Sequence, residues 1–234
     1  MIAMFKKITP VLLLAFVFIL NGCKCDDNDV APPSGLIYSY FPTNVGHEII
    51  YDVSLITKDG FFGTSDTAIY QIKEVVESVF LDNQNRPTQR LERYKRDTPN
   101  DPWVINDVWT SNLTATRAEK KEENVTFVKL VFPITSSTNW NGNLLNTLDP
   151  QNYEYDNLHQ PDVVGGINFD STLTVIQMDE DNFIEYSFEI EKYAPGIGLI
   201  FKEHNFVEKD NSQPPLVGII SQRLYKETIV SWSN

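Results

Sequence analysis

Residues 47–55 read His47-Glu48-Ile49-Ile50-Tyr51-Asp52-Val53-Ser54-Leu55, and apolar and polar side chains alternate over most of this stretch. A period of two is typical of a β-strand with one buried face. Similar segments, rich in β-branched and aromatic residues, recur at 67–76, 88–95, 103–111, 113–118, 125–132, 171–178, 183–192, 198–207 and 217–231. These segments predict an all-β fold.

Clusters of Asn, Asp, Gly and Pro separate the predicted strands, as in Lys58-Asp59-Gly60 and Asp179-Glu180-Asp181-Asn182. The short spacing between turns favours an antiparallel meander, which must curl to protect its edges. We therefore expect a curved antiparallel sheet or an open barrel, with little helix outside the signal peptide. Residues 136–166 are less regular, and we expect a crossing loop there with a short strand near Tyr153.

Charge excludes one class of partner. The 234 residues include 19 basic and 32 acidic side chains, a formal net charge of −13. Such a field repels phosphate backbones, so we expect no nucleic-acid partner.

The N-terminus has the features of an export signal. Lys6 and Lys7 precede an unbroken apolar run at 11–20. Ten helical residues span roughly 15 Å, about half of the hydrocarbon core of a bilayer, so the run is too short to cross a membrane. Leu20-Asn21-Gly22-Cys23 resembles the lipobox of bacterial lipoproteins. The resemblance implies removal of residues 1–22, a mature charge of −15, and fatty acyl chains on Cys23 that anchor the protein to a membrane.

The segment behind the cysteine points to the outer membrane. Lys24-Cys25-Asp26-Asp27 resembles the lipoprotein export signal of Bacteroidota, with Lys24, Asp26 and Asp27 as its charged tract. That resemblance implies display on the cell surface, and a periplasm-facing position is the alternative. Residues 23–35 are then a lipidated, flexible tether, and 36–234 form a single antiparallel β domain. Cys25 has no second thiol once Cys23 is alkylated, so no internal disulfide is expected.

Two further motifs resemble those of uncharacterised Bacteroidota outer-membrane lipoproteins. They are Tyr40-Phe41-Pro42-Thr43-Asn44-Val45-Gly46 and Tyr193-Ala194-Pro195-Gly196-Ile197-Gly198-Leu199. Neither motif indicates a particular catalytic or binding chemistry, and we expect a structural role for both. The resemblance implies a fold related to the lipoprotein carriers LolA and LolB or to lipocalins.

The sequence carries no sign of catalysis. His47, His159 and His204 are far apart, and no nucleophile elbow or phosphate-binding loop occurs. Glu185, Glu189 and Glu191, with Glu203 across the next turn, read as a solvated face. We expect a protein that is not an enzyme, with no metal and no cofactor.

Two function classes remain. In the first, the concave face of the sheet binds an apolar or amphipathic ligand such as a lipid. In the second, the domain is a surface-displayed structural or interaction module that contacts a protein partner or glycans, through Trp103, Trp109, Trp140 or Tyr153.

Overall fold

The computed structural model describes residues 35–210 and 218–234. Twelve strands form one antiparallel sheet in the order β6-β5-β4-β3-β2-β1-β12-β11-β10-β9-β8-β7. The strands are β1 Glu48–Asp59, β2 Thr64–Leu81, β3 Pro87–Arg96, β4 Val104–Leu113, β5 Arg117–Glu122, β6 Val125–Val131, β7 Asn139–Asn141, β8 Asn152–Val164, β9 Ile167–Asp181, β10 Glu185–Ala194, β11 Gly198–Asp210 and β12 Gly218–Ser233. The predicted all-β curved sheet or open barrel is confirmed.

The sheet is an up-and-down meander nearly closed into a barrel. The last strand, β12, pairs with the first, β1, from Glu48 opposite Ser233 to Asp59 opposite Ser221. The remaining seam lies between β6 and β7. The lower end, as we call it, holds the 3₁₀ helix Leu36–Tyr40 and the C-terminus, and the upper end holds the β1–β2 and β9–β10 turns with the last residues of β11 and the first of β12.

Side chains bridge much of the seam. The Val128 N–H donates to the Gly142 carbonyl at 2.9 Å. The Trp140 indole N–H donates to the Val128 carbonyl at 2.8 Å, and the Tyr155 hydroxyl is bonded to both the N–H and the carbonyl of Val131 at 2.8 Å. The seam is thus closed largely by two aromatic side chains that supply the missing ladder bonds.

Two apolar clusters make the core. One lies beside the seam and contains Trp140, Tyr155, Leu130 and Leu173. The other lies under β1 and β12 and contains Tyr51, Ile200 and Ile229. Within the described ranges, no helix has the length and hydropathy needed to cross a lipid bilayer.

Two local predictions are wrong. Residues 152–164, expected to be mostly loop, form β8, in which Tyr153 and Tyr155 point inward while polar side chains face out. Asn157 and His159 have positive φ angles of 50° and 55° and interrupt its pairing with β9, which weakens the strand pattern in the sequence. Segment 113–118, expected to be one strand, contains the turn between β4 and β5.

Candidate functional site

Eight charged side chains fill the middle of the barrel. Four are acidic and four basic, so the group is neutral as a whole, and we call it the ionic cluster. Its members are Glu74, Arg93, Lys120, Glu122, Lys129, Glu191, Lys202 and Glu227.

The ionic cluster joins strands that are not neighbours. The Lys129 ammonium on β6 lies 2.8 Å from Glu191 on β10 and 2.9 Å from Glu122 on β5. Lys202 on β11 lies 3.5 Å from Glu122, although β5 and β11 are six strands apart in either direction. A circular barrel of twelve tilted strands would be about 24 Å across, more than these two side chains can span. The barrel is therefore flattened, and ion pairs connect its walls.

Charge pairing keeps the ionic cluster ionised despite its burial. Burial by itself raises the pKa of Glu191, but Lys129 and Lys202 outweigh it and lower the pKa to about 2. Burial likewise opposes the charge of Lys129, yet Glu122 and Glu191 hold its pKa above the ordinary value. Each buried charge therefore depends on its partners.

The barrel interior leaves little free space. The cavity beside the ionic cluster has a volume of about 50 Å³ and is lined by residues such as Tyr51, Lys120, Glu122, Glu191 and Tyr193. On the order of 10–15 Å³ is needed to hold one water molecule, so this space is large enough for only a few waters. A fatty acyl chain does not fit in it.

His204 lies above the ionic cluster and is partly buried. Its Nε2 atom has no hydrogen-bond partner in the described parts of the chain, and its ring meets that of Tyr225 edge-on. Burial, with help from the nearby Lys202 charge, lowers the pKa of His204 to about 3. The imidazole is therefore neutral at pH 7.

The upper end of the barrel carries one group of exposed apolar side chains. Six large apolar side chains, 41% to 85% exposed, lie on adjacent turns and strand ends, and we call them the apolar rim. They are Phe61, Phe62, Phe183, Ile184, Ile219 and Ile220.

Backbone pairing brings the turns and strand ends that carry the apolar rim next to one another. The Gly60 N–H donates to the Ile220 carbonyl at 2.7 Å, Ile219 pairs with Lys209, and the Lys209 N–H donates to the Ile184 carbonyl at 2.8 Å. The rim therefore crosses β1, β12, β11 and the start of β10. Three strand spacings of about 4.8 Å give it a width of roughly 15 Å.

Acidic residues surround the apolar rim. Residues 57–66, 179–185 and 208–220 contain eight Asp or Glu and only Lys58 and Lys209 as basic residues. Lys209 is ion-paired with Asp181. We call these eight acidic residues the acidic collar: Asp59, Asp66, Asp179, Glu180, Asp181, Glu185, Glu208 and Asp210. The upper end thus combines apolar side chains with a strongly negative surround.

The four aromatic residues considered for glycan contact pack against other residues of the domain. Trp140 and Tyr153 are buried in the core cluster beside the seam. Arg96 lies over the ring of Trp103 at 4.1 Å, and Arg93 over that of Trp109 at 3.9 Å. Each ring therefore has a structural partner.

The predicted glutamate face is divided between the two sides of the sheet. Glu191 is buried in the ionic cluster, whereas Glu203 pairs with the half-exposed Lys226 at 3.1 Å. Sequence reasoning missed the ionic cluster because it assigned charged residues on strands to solvent. The one available signal was the polar run around Lys120 and Glu122, where neither strand face is apolar.

No metal-binding group stands out. Among the described residues, no three His, Cys, Asp or Glu side chains are grouped to hold a metal ion. In the acidic turn at 179–182, the Asn182 side chain accepts hydrogen bonds from the N–H groups of Ile184 and Glu185, both at 2.9 Å. That turn stabilises a hairpin.

The second lipoprotein-like motif contacts residues on either side of the first motif at the lower end. The Gly196 N–H donates to the Ser39 carbonyl at 2.8 Å, and the His47 ring bonds the Ile197 carbonyl at 2.9 Å. The Tyr51 hydroxyl donates to the Leu199 carbonyl at 2.9 Å. About 150 residues apart in sequence, the motifs close the barrel bottom together.

The proposed lipidation and export residues, Cys23, Lys24, Asp26 and Asp27, lie outside the described residues, as do the signal peptide and nearly all of the tether. No protein-family model, curated protein or solved structure matches the chain.

Proposed function

We propose that this protein is a lipid-anchored interaction module of the outer membrane, displayed on the cell surface, that binds a protein partner through its apolar rim. The carrying observation is a group of six exposed apolar side chains at the end of the domain opposite the tether. Six exposed apolar side chains lie together at the upper end, whereas the described chain begins at Gly35, at the lower end. An anchor on Cys23 therefore joins the domain at the end opposite its binding surface.

The barrel interior favours this role over internal ligand storage. Ion pairs between non-adjacent strands occupy the barrel interior, and the cavity of about 50 Å³ beside them is small for a lipid. A group of exposed apolar side chains on neighbouring turns, in contrast, is a common mark of a binding site. The partner is a protein rather than a glycan because the four aromatic side chains considered for sugars have structural contacts.

Site-specific photo-crosslinking in growing cells tests the binding surface. Benzoylphenylalanine at Phe61 is expected to give a protease-sensitive adduct, whereas the same group at Phe80 gives none. Phe80 is the matched control because it is 44% exposed and lies on β2 toward the lower end. Equal labelling at both positions, or an adduct at Phe61 that is only lipid, would contradict the proposal.

The anchor is tested separately. Cys23→Ser is expected to abolish metabolic labelling with palmitate and to move the protein out of the detergent phase in Triton X-114 partitioning, while Cys25→Ser changes neither. Protease added to intact cells is expected to digest the wild-type domain. Protection until the outer membrane is permeabilised would place the domain on the periplasmic side.

The alternative hypothesis, that the domain binds an apolar ligand inside the barrel, has its own measurement. Native mass spectrometry of the full chain in detergent is expected to show no stoichiometric lipid beyond the covalent acyl chains. A lipid that remains bound in equal amounts after Phe61→Ser and Phe183→Ser would favour an internal site over the rim.

A further inference from the structure

The apolar rim and the acidic collar occupy the same surface, and together they describe a partner. Eight acidic and two basic side chains lie within the three segments that contain the rim. Those segments carry a formal charge of −6, close to half of the −13 of the whole chain. The collar is therefore much more acidic than the rest of the domain.

We propose that the apolar rim docks a cationic amphipathic segment of another protein, with apolar side chains on Phe61, Phe62, Phe183 and the neighbouring Ile residues and Lys or Arg side chains on the acidic collar. This inference rests on the proposed function and adds the chemistry of the partner. Charge complementarity of this kind steers encounter and rejects acidic competitors.

The dimensions of the surface suit one such segment. The rim is roughly 15 Å wide, and an α-helix with its side chains is about 10–12 Å in diameter. Asp66 on β2 and Glu180 on β9 stand on either side of the rim and are exposed. A helix lying across the rim would place its apolar stripe between two acidic borders.

An acidic partner or an anionic membrane does not suit this surface. Either would bring like charges against the acidic collar, and their repulsion would oppose binding. A zwitterionic bilayer remains a competing occupant because it presents apolar surface without net charge, and the experiment includes it.

The test measures the affinity of the full chain in dodecyl maltoside micelles for labelled model peptides by fluorescence anisotropy, with empty micelles subtracted. The probes are a helical Leu/Lys peptide and a Leu/Glu peptide of the same length and apolar pattern. We expect the Leu/Lys peptide to bind and the Leu/Glu peptide to bind at least about tenfold more weakly.

Matched variants locate the binding. Phe61→Ser with Phe183→Ser is expected to weaken Leu/Lys binding by about tenfold or more, because two aromatic contacts are lost. Phe80→Ser with Val163→Ser removes exposed apolar side chains toward the lower end and is expected to change affinity by less than about twofold. Asp66→Lys with Glu180→Lys should weaken Leu/Lys binding and strengthen Leu/Glu binding. A circular-dichroism melt verifies that each variant is folded.

The outcomes separate the two proposals. If both peptides bind equally and both lose affinity in the rim variant, the rim is a binding surface but the cationic partner is wrong. If neither peptide binds in a rim-dependent way, both proposals fail. Rim-dependent binding of phosphatidylcholine vesicles that matches the peptide affinity would also overturn the cationic partner, in favour of a lipid surface.

Discussion

The Nζ atom of Lys129 on β6 lies 2.8 Å from an Oε atom of Glu191 on β10, although these strands are not neighbours in the sheet. Both side chains are almost fully buried. Because β6 borders the seam, this ion pair ties the least-bonded edge of the barrel to its far wall. Four predictions follow from this arrangement and the contacts around it.

Removing one partner of the buried pair should destabilise the domain strongly. Lys129→Met removes the nearer of the two cations shared by Glu191 and Glu122 and leaves only Lys202, at 3.5 Å from each, and we expect a loss of about 3–5 kcal/mol in the free energy of unfolding. Urea denaturation followed by tryptophan fluorescence measures it. The half-exposed pair of Glu203 and Lys226 is the control, and Lys226→Met should cost about 0–1 kcal/mol. A similar small loss for Lys129→Met would mean that water replaces the ion pair at no cost.

Acid should weaken the domain in two steps. His204 has a pKa of about 3 when folded and about 6.5 when unfolded, so the unfolded chain binds the extra proton between these values. The contribution of His204 to the free energy of unfolding is then fully present above about pH 6.5. It falls with acidification, by at most about 1.4 kcal/mol per pH unit. Below about pH 4.5 the protonation of Glu191 in the ionic cluster adds a second loss of stability, which continues toward the Glu191 pKa of about 2.

Replacing His204 separates these steps. His204→Gln is expected to flatten the dependence of the melting temperature on pH between 6.5 and 4.5 and to reduce, but not abolish, the loss below pH 4.5. An unchanged slope between pH 6.5 and 4.5 in this variant would show that the imidazole is protonated in the folded protein.

The seam should open when its side-chain bonds are removed. Tyr155→Phe deletes the hydroxyl that is bonded to both the N–H and the carbonyl of Val131, and an unsatisfied buried backbone group costs about 1–3 kcal/mol. Amide hydrogen exchange should show faster exchange at Val131 and Val128. Tyr38→Phe, which removes an exposed hydroxyl bond to the Ala115 carbonyl, should leave both amides protected.

Contact between the two lipoprotein-like motifs should depend on a single glycine. Gly198 has a φ angle of 92°, and a Cβ atom there would lie 3.1 Å from Cδ of Pro42. Gly198→Ala therefore adds backbone strain and crowding, and we expect a loss of about 1–3 kcal/mol. Gly166→Ala, with a φ of 80° but open space around the Cβ position, adds the strain alone. Thermal melts in which Gly166→Ala costs as much as Gly198→Ala would show that Pro42 gives way.

Much of the fold could be predicted from alternation, because inward apolar and outward polar residues leave a period of two in the sequence. The strands β1, β3, β6, β10 and β11 were placed within a few residues in this way. β8 was missed since its outward face is polar and two of its residues have positive φ angles, both of which are more typical of loops.

The sequence by itself determined the fold class, the turns and the negative charge, because these depend on local pattern and composition. Only the tertiary structure decided that Lys129, Glu191, Lys202 and Glu122 meet inside the barrel, since each comes from a different strand and none is marked as buried by its neighbours. The same holds for the apolar rim. Phe61 and Phe183 are separated by more than 120 residues, and only the closure of β12 on β1 brings their turns to one end of the molecule.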